Sequence, residues 1–356
     1  MGISSLRLVQ ALAGARVGGA ESFYERLVTA MAGQSGVTQH AVLRDWPERV
    51  ARLTHAGVDV RCHRFGGRLD LLDHYSYRKT LSELAPDVVL TYMNRASMVT
   101  PQGHYTLVSR LGHFYNLKYY RHADFWIGNT RGICDYLVRH GMPADRVVHI
   151  ANFAREEAAQ PLHRQTLGVP DEAPVLLAAG RLHSNKGFDV LLRALRELDG
   201  VHLLLAGDGP ERAALEALAE AEGVSQRVVF LGWRNDVGAL MRSADVFVCP
   251  SRHEGLGGVV LEAWFHGCPV VSTRSQGPSE LIEHGDTGLL TPIDESAPLV
   301  AAINQLLHQP GTAVDMATRA RQRYDQGYSQ SRIVGEYVAF LDSVAGRNRE
   351  RRGRAR

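Results

Sequence analysis

Residues 250–267 read Pro-Ser-Arg-His-Glu-Gly-Leu-Gly-Gly-Val-Val-Leu-Glu-Ala-Trp-Phe-His-Gly, and the rest of the chain can be interpreted outward from them. The apolar, β-rich run 245–249 before this stretch is typical of a buried strand. A loop with Glu254 and three glycines follows, and residues 259–266 have the pattern of a helix that stops at Gly267. A strand, a glycine-rich turn and a helix together predict an anion site, because the first helical N–H groups lack partners and the helix dipole is positive there.

Two carboxylates flank this glycine turn. Glu254 precedes the predicted helix, and Glu262 lies about one turn inside it. Carboxylates repel phosphate, but they readily accept hydrogen bonds from sugar hydroxyls. One of them suits a ribose and the other a second sugar, with a diphosphate on the turn between them. Either residue alone is more simply explained as a helix cap (Glu254) or a solvated helix residue (Glu262), whereas the pair around this loop favours a nucleotide-sugar site.

A resemblance to a known family rests on this pattern and on a second segment. The sequence Pro-Ser-x-x-Glu-Gly-x-Gly-x-x-x-x-Glu-Ala resembles the donor-site signature of retaining glycosyltransferases of family 4. The segment 180–187, Gly-Arg-Leu-His-Ser-Asn-Lys-Gly, follows a predicted strand at 175–179 and resembles the basic companion of that signature. The resemblance implies an α/β protein of GT-B architecture, with two Rossmann-like doubly wound domains that face a central cleft.

The resemblance also implies roles for residues of the second half. Arg181 and Lys186 would stabilise the departing diphosphate, since two fixed cations can neutralise it. Glu262 would hold the ribose and Glu254 the transferred sugar. The loop would add backbone N–H donors from Gly255, Leu256, Gly257 and Gly258. With two cations in this role, no cofactor and no divalent metal is required, and the sixteen His residues form no metal-binding motif.

The first half contributes a second glycine loop. A predicted strand at 6–12 leads into residues 14–21, Gly-Ala-Arg-Val-Gly-Gly-Ala-Glu, and then into a helix. The Gly-x-Gly-x-x-Gly fingerprint of dinucleotide-binding proteins is absent. Gly18 and Gly19 resemble the first-domain glycine loop of the family, which lies against the donor phosphates.

Two further candidates follow predicted strands. His113 comes after the strand 106–111, and the resemblance suggests that it faces the sugar, while a loop histidine with only local hydrogen bonds is an equally open interpretation. Arg234 comes after the strand 227–232, in a region where such folds commonly hold a nucleotide base.

The alternation of predicted strands and helices indicates parallel sheets covered on both faces. We expect an acceptor-side domain at 1–160 and a nucleotide-sugar-binding domain at 161–325. By resemblance, a helix at 326–346 crosses back to the first domain. Residues 347–356 are predicted to be a disordered basic tail.

Composition and charge narrow the class of protein. The chain of 356 residues has no apolar run of membrane-spanning length and four cysteines without paired spacing, which is typical of a cytoplasmic protein with reduced thiols. The net charge is +2; six Arg and one Glu in residues 347–356 supply +5, which leaves −3 for the rest. Such a tail is usually inert, but contact with an anionic membrane on the inner face is an alternative.

The sequence therefore predicts a retaining glycosyltransferase that moves a sugar from a nucleotide-sugar to a hydroxyl of a glycan or lipid-linked acceptor. Residues 110–120 resemble transferases of lipopolysaccharide core or other surface glycans, and no feature indicates nucleic acid. A front-face mechanism is favoured, because no first-domain carboxylate stands out as a nucleophile. The alternatives are a non-catalytic nucleotide-sugar binding protein and a nicotinamide-dependent oxidoreductase. No motif specifies the base, the sugar or the acceptor.

Overall fold

The computed structural model describes residues 5–67 and 70–354, with the side chains of 347–354 outside what is described. The chain forms two compact units. The first comprises Met1–Asn152 together with Gln330–Arg356, and the second is Phe153–Ser329. The sequence placed the corresponding changes after residues 160 and 325.

The first unit is built on a sheet of seven parallel strands in the order β3-β2-β1-β4-β5-β6-β7. The direction of winding reverses between β1 and β4, which is where ligands bind in doubly wound sheets. The strands are β1 (Leu6–Leu12), β2 (Val37–Leu43), β3 (Asp59–Cys62), β4 (Val88–Tyr92), β5 (Thr106–Leu111), β6 (Phe125–Gly128) and β7 (Val147–His149). The helices are α1 (Gly19–Met31), α2 (Pro47–His55), α3 (Leu71–Leu84), α4 (Met93–Val99) and α5 (Arg131–Arg139).

The second unit is built on six parallel strands in the order β10-β9-β8-β11-β12-β13, with the reversal between β8 and β11. The strands are β8 (Val175–Ala179), β9 (His202–Ala206), β10 (Val228–Gly232), β11 (Val246–Cys249), β12 (Val270–Thr273) and β13 (Leu289–Thr291). The helices are α6 (Phe188–Leu195), α7 (Arg212–Ala221), α8 (Val237–Ser243), α9 (Gly258–Phe265), α10 (Gln276–Leu281), α11 (Ser296–His308) and α12 (Pro310–Gly327). The predicted α/β class with two parallel sheets is confirmed.

The last helix, α13 (Gln330–Arg354), packs on the first unit. The Tyr337 hydroxyl accepts a hydrogen bond from Arg110 Nε at 3.1 Å, and the Thr106 hydroxyl donates to the Val344 carbonyl at 3.2 Å. The backbone of α13 is helical as far as Arg354, which differs from the disordered segment predicted from residue 347. The side chains of 347–354 and the last two residues lie outside the described part of the chain.

Buried strands explain the core of the second unit. Strand β8 is apolar throughout, and its side chains alternate between the two faces of the sheet. Leu176 belongs to one buried cluster with residues of α6, whereas Leu177 belongs to another with Trp264 of α9. Because both faces of the sheet are covered, polar groups concentrate at the strand ends.

Two other predictions concern membranes and thiols. None of the helices in the described part of the chain combines the length and apolar character that a membrane span needs. The four cysteines are free, and Cys249 and Cys268 are buried.

The carboxyl ends of β8 and β9 approach each other closely at two glycines. A Cβ atom on Gly207 would lie 1.8 Å from the carbonyl oxygen of Gly180, and the φ of Gly207 is +147°. The Gly180 N–H donates to the Ala206 carbonyl at 2.9 Å, so the two strand ends are hydrogen-bonded at this point. Only glycine fits position 207, for steric and for conformational reasons.

We therefore expect Gly207→Ala to lower the free energy of unfolding by about 3 kcal/mol or more, since backbone strain and overpacking each cost about 1–3 kcal/mol. Gly223→Ala is the matched control: its φ is +70° and no atom lies within 4 Å of the added Cβ. The control should cost only about 1–2 kcal/mol. Urea denaturation of both variants measures the difference, and equal losses would show that the contact at Gly207 is not limiting.

Candidate nucleotide-sugar site

The predicted site residues of the second unit follow neighbouring strands. The segment with Arg181 and Lys186 follows β8, and the glycine turn with Glu254 follows β11. These strands pair in the sheet at the point where its order reverses. The structure thus brings the two halves of the predicted donor site to one edge, where doubly wound sheets bind ligands.

An ion pair joins these two segments. Lys186 Nζ lies 2.5 Å from Glu254 Oε2, and the Ser251 hydroxyl donates to the same carboxylate oxygen at 3.2 Å. Burial by itself lowers the pKa of Lys186, but the adjacent Glu254 carboxylate more than offsets this and holds the pKa above its ordinary value. Lys186 is therefore a fixed cation at neutral pH.

The backbones of the two segments are also in direct contact. The Asn185 carbonyl accepts hydrogen bonds from the N–H groups of Arg252 at 2.8 Å and His253 at 3.3 Å. Gly187 has a φ of +65°, and a Cβ atom there would lie 2.1 Å from the Pro250 carbonyl oxygen. Glycine at position 187 thus permits the approach that positions Lys186 beside Glu254.

Arg252 holds these segments together through its side chain. Its two terminal nitrogens each donate to a different carboxylate oxygen of Asp189 at 2.8 Å, and Nη1 also donates to the Ser184 carbonyl at 2.6 Å. Its Nε donates to Asp294 at 2.5 Å. Burial raises the pKa of the Asp189 carboxyl, but hydrogen bonds from Arg252 and Arg193 outweigh it and bring the pKa below its ordinary value.

Sequence reasoning missed Arg252. It occupies a variable position of the donor-site pattern, and its partners lie 63 and 42 positions away in the chain. Nothing local in the sequence marks it, since the bidentate geometry arises only when β8 and β11 are adjacent.

The glycine turn has unpaired donors. Helix α9 begins at Gly258, and Gly257 before it has a φ of +85°. Four N–H groups of this turn donate to no backbone or side-chain acceptor among the described residues, namely those of Gly255, Leu256, Gly257 and Gly258. Gly277 of α10 packs on the turn: a Cβ there would lie 2.3 Å from the Leu256 carbonyl, and its N–H donates to the Glu254 carbonyl at 3.0 Å. Helix α10 thus contacts the turn directly, and the four N–H groups of the turn are left without an acceptor among the described residues.

The remaining predicted cation of this edge, Arg181, differs from Lys186. It is exposed, and no described residue forms an ion pair or hydrogen bond with its guanidinium. Glu262 is partly exposed on the second turn of α9. Burial lowers the pKa of His266, and the negative charge of Glu262 offsets part of this effect. The two carboxylates of the prediction thus lie on either side of the start of α9.

Arg234 is not brought to this arrangement. It follows the edge strand β10, which β9 separates from β8. Its guanidinium forms a bidentate ion pair with the Asp236 carboxylate, with nitrogen–oxygen distances of 2.8 and 2.6 Å. The prediction of a base-binding role for Arg234 therefore gains no support from its contacts.

The first-unit residues are placed as follows. Gly18 precedes α1, and a Cβ there would lie 2.3 Å from the Glu21 carboxylate, which is buried and accepts the Ala15 N–H at 2.8 Å. Gly19 has open space around it. His113 is exposed after β5, and its ring makes no hydrogen bond with described residues, only ring contacts with Phe114 and Tyr115.

The role of Glu21 was not predicted from the sequence. Its carboxylate folds back over the first turn of its own helix, so it explains why glycine is needed at position 18. Glu21 is the third residue of α1, and its partner Ala15 lies six positions earlier in the loop, so no local signal in the sequence marks this contact.

Comparison with known proteins defines the class to which this fold and site belong. Residues 173–309 match the family described as glycosyl transferases group 1. The lipopolysaccharide core biosynthesis glycosyltransferase LpsE of Rhizobium meliloti (strain 1021) is 36% identical over 334 residues, which are 92% of this chain and 96% of LpsE. LpsD of the same organism, which has the same description, is 32% identical over 334 residues, 91% of this chain and 95% of LpsD.

Among solved structures, HepE of Anabaena in complex with UDP and glucose has a TM-score of 0.83 at 23% identity, with 95% of this chain and all of HepE covered. That likeness shows the GT-B fold, as the sequence predicted. The chain belongs to the group 1 glycosyltransferases and is a glycosyltransferase enzyme.

The position of Arg252 generates a prediction on stability. Arg252→Ala should lower the free energy of unfolding by about 2 kcal/mol or more, because it removes several charge-assisted hydrogen bonds of a partly buried group. Arg193→Ala is the control, since Arg193 binds the same Asp189 from an exposed position and should cost less than about 1 kcal/mol.

The pH dependence of this loss has a defined sign. The depressed pKa of Asp189 means that its stabilising contribution is present above the unfolded value of 3.8 and is lost as the pH falls through the lower folded value. The difference in the free energy of unfolding between wild type and Arg252→Ala, measured by urea denaturation, should therefore shrink as the pH falls below 3.8. A gap that stays constant into acid would contradict this account of Asp189.

Proposed function

We propose that the edge of the second unit formed by residues 180–187 and 250–258 binds a nucleoside-diphosphate sugar. The observation that carries the proposal is the juxtaposition of the exposed Arg181 and the fixed cation Lys186 with four unused backbone N–H groups. The crystallised complexes of HepE with UDP and with UDP-glucose support it. So does the presence of two carboxylates suited to sugar hydroxyls, with Glu262 assigned to the ribose and Glu254 to the transferred sugar.

The proposed reaction transfers the sugar with retention at the anomeric carbon. The bond from this carbon to the diphosphate oxygen breaks, and negative charge grows on the departing phosphate. The acceptor hydroxyl forms the new bond on the same face, and its proton passes to the departing phosphate. Arg181, Lys186 and the N–H groups of the turn stabilise the growing charge, which is the largest contribution that such a site makes.

Glu254 has two tasks in this scheme. It fixes Lys186 through the ion pair, and its carboxylate accepts hydrogen bonds from the sugar. His113 of the first unit is assigned to the sugar, while Gly18 and Gly19 are assigned to the donor phosphates. Because two side-chain cations neutralise the diphosphate, the proposal requires no cofactor and no divalent metal.

The acceptor is proposed to be a hydroxyl of a glycan or lipid-linked glycan, in lipopolysaccharide core or another surface glycan. The two Rhizobium relatives, which match nearly their full length, support this assignment. A location on the cytoplasmic side of the membrane is part of the same proposal.

A peripheral membrane contact through residues 347–356 is proposed as well. Each of the basic residues near an anionic surface contributes about 1 kcal/mol, and salt weakens the effect. Full-length protein should sediment with anionic vesicles at low salt and less so at high salt, whereas a chain ending at Gly346 should not. Equal sedimentation of both proteins, or none with either, would contradict the contact.

The donor site itself is tested by Arg181→Ala and Lys186→Ala. Each change should lower turnover with a nucleotide-sugar by on the order of 10²-fold or more, since one electrostatic contact to the leaving group is lost. Arg193→Ala, a surface change on α6, should leave turnover unaltered. Circular dichroism checks that the variants fold, and activity in the presence of EDTA checks the metal-free assignment. Activity within a few-fold of wild type in both site variants would remove these residues from the reaction.

A further inference from the structure

The start of helix α2 holds the glycine loop of the first unit by its carbonyl groups. The loop follows β1, and α2 follows the neighbouring strand β2. Trp46 Nε1 donates a hydrogen bond to the Gly14 carbonyl at 3.3 Å. Arg49 donates to the carbonyls of Ala15 at 3.1 Å and Arg16 at 2.8 Å. The backbone of the loop is therefore tied to this segment at three consecutive peptide groups.

Arg49 differs from Arg52, the other arginine of α2, in its burial. The side chain of Arg49 is 2% exposed, whereas that of Arg52 is 56% exposed. Both bind the Glu25 carboxylate of α1, Arg49 through Nε at 2.7 Å and Arg52 through Nε at 2.8 Å. Because the ion pair uses Nε of Arg49, its two terminal nitrogens are available to the loop. A buried cation is costly unless its donors find acceptors, and the loop carbonyls supply them.

The bonds to these carbonyls also fix the direction of two N–H groups. A trans peptide is planar, so its N–H points opposite to its C=O. The carbonyl of Ala15 shares a peptide with the N–H of Arg16, and the carbonyl of Arg16 shares one with the N–H of Val17. Since Arg49 bonds both carbonyls, it directs both N–H groups away from itself.

These N–H groups belong to a run of unused donors. Four successive N–H groups donate to no acceptor in the part of the chain that the structure describes, namely those of Arg16, Val17, Gly18 and Gly19. The N–H of Ala15, one peptide earlier, instead donates to the Glu21 carboxylate at 2.8 Å. Successive unpaired N–H groups can bind an anion. A cation on the carbonyl side polarises each peptide and strengthens its N–H as a donor.

We propose that Arg49 is a positioning residue for sugar transfer, which holds the loop so that the N–H groups of Arg16 and Val17 bind the donor diphosphate together with Gly18 and Gly19. The inference rests on the proposed function, which assigns this loop to the donor phosphates, and adds the residue that orients its donors. Arg49 acts through the loop, because its own nitrogens are occupied. A guanidinium is needed, since its rigid fork serves two carbonyls and a carboxylate at once.

Two variants and a matched control test this role in the full-length protein. Arg49→Lys keeps a cation beside Glu25 but lacks the fork that bonds two carbonyls, and Arg49→Gln removes the charge as well. Arg52→Gln is the control, because Arg52 binds the same carboxylate from an exposed position and bonds no loop carbonyl among the described residues. Urea denaturation checks that each variant is folded. If Arg49→Gln is unfolded, the lysine variant provides the test.

Amide hydrogen exchange and calorimetry with UDP measure the effect. In wild type, saturating UDP should slow the exchange of residues 14–21 as well as that of residues 255–258. The two Arg49 variants should lose the protection of 14–21 and keep that of 255–258, with UDP affinity lowered by about tenfold. Arg52→Gln should match wild type in both measurements. A general loss of stability would instead reduce protection throughout, so this pattern distinguishes positioning from stability.

Three results would overturn the inference. These are an absence of UDP protection at residues 14–21 in wild type, equal protection there in wild type and both Arg49 variants, and an equal loss in Arg52→Gln, which would trace the effect to Glu25. Failure of the proposed function would look different, because UDP would then leave residues 255–258 of wild type unprotected as well.

Discussion

Gly187 approaches the carbonyl of Pro250 so closely that no side chain fits between them, and the donor site of the second unit depends on this contact. It lets the end of the β8 segment lie against the start of the β11 segment. Arg252 then closes the junction through Asp189, Ser184 and Asp294. Only with this junction formed can Lys186 reach Glu254. A fixed cation, a carboxylate and unused N–H donors are thereby preorganised, so little reorganisation remains when charge develops on a leaving group.

Much of the fold could be predicted because it depends on short-range patterns. Apolar runs predicted five strands to within one residue at each end, namely those at 6–12, 106–111, 175–179, 227–232 and 245–249. These strands are recognisable because side chains on both faces of a parallel sheet are buried. The grouping of Arg181 and Lys186 with Glu254 could be predicted too. It needs only the rule that parallel strands end at one edge, together with a long motif.

What escaped prediction depends on distances across the chain. Arg252 gains its role only after β8 and β11 pair. The bidentate contact of Arg234 with Asp236 is instead local, because the two residues are only two positions apart.

Both units have a parallel sheet with a winding reversal, beyond whose strand ends ligands bind in doubly wound folds. In the second unit, positive charge at this edge accompanies backbone donors and carboxylates, which suits a diphosphate between two sugars.

Amide hydrogen exchange of residues 250–262 tests the central claim most directly. The N–H groups of the glycine turn have no acceptor among the described residues, so they should exchange rapidly in the free protein. Addition of UDP should slow the exchange of Gly255, Leu256, Gly257 and Gly258, and this protection should weaken in Lys186→Ala. Unchanged exchange in this turn at saturating UDP, with protection elsewhere in the second unit, would contradict the assignment of the donor site.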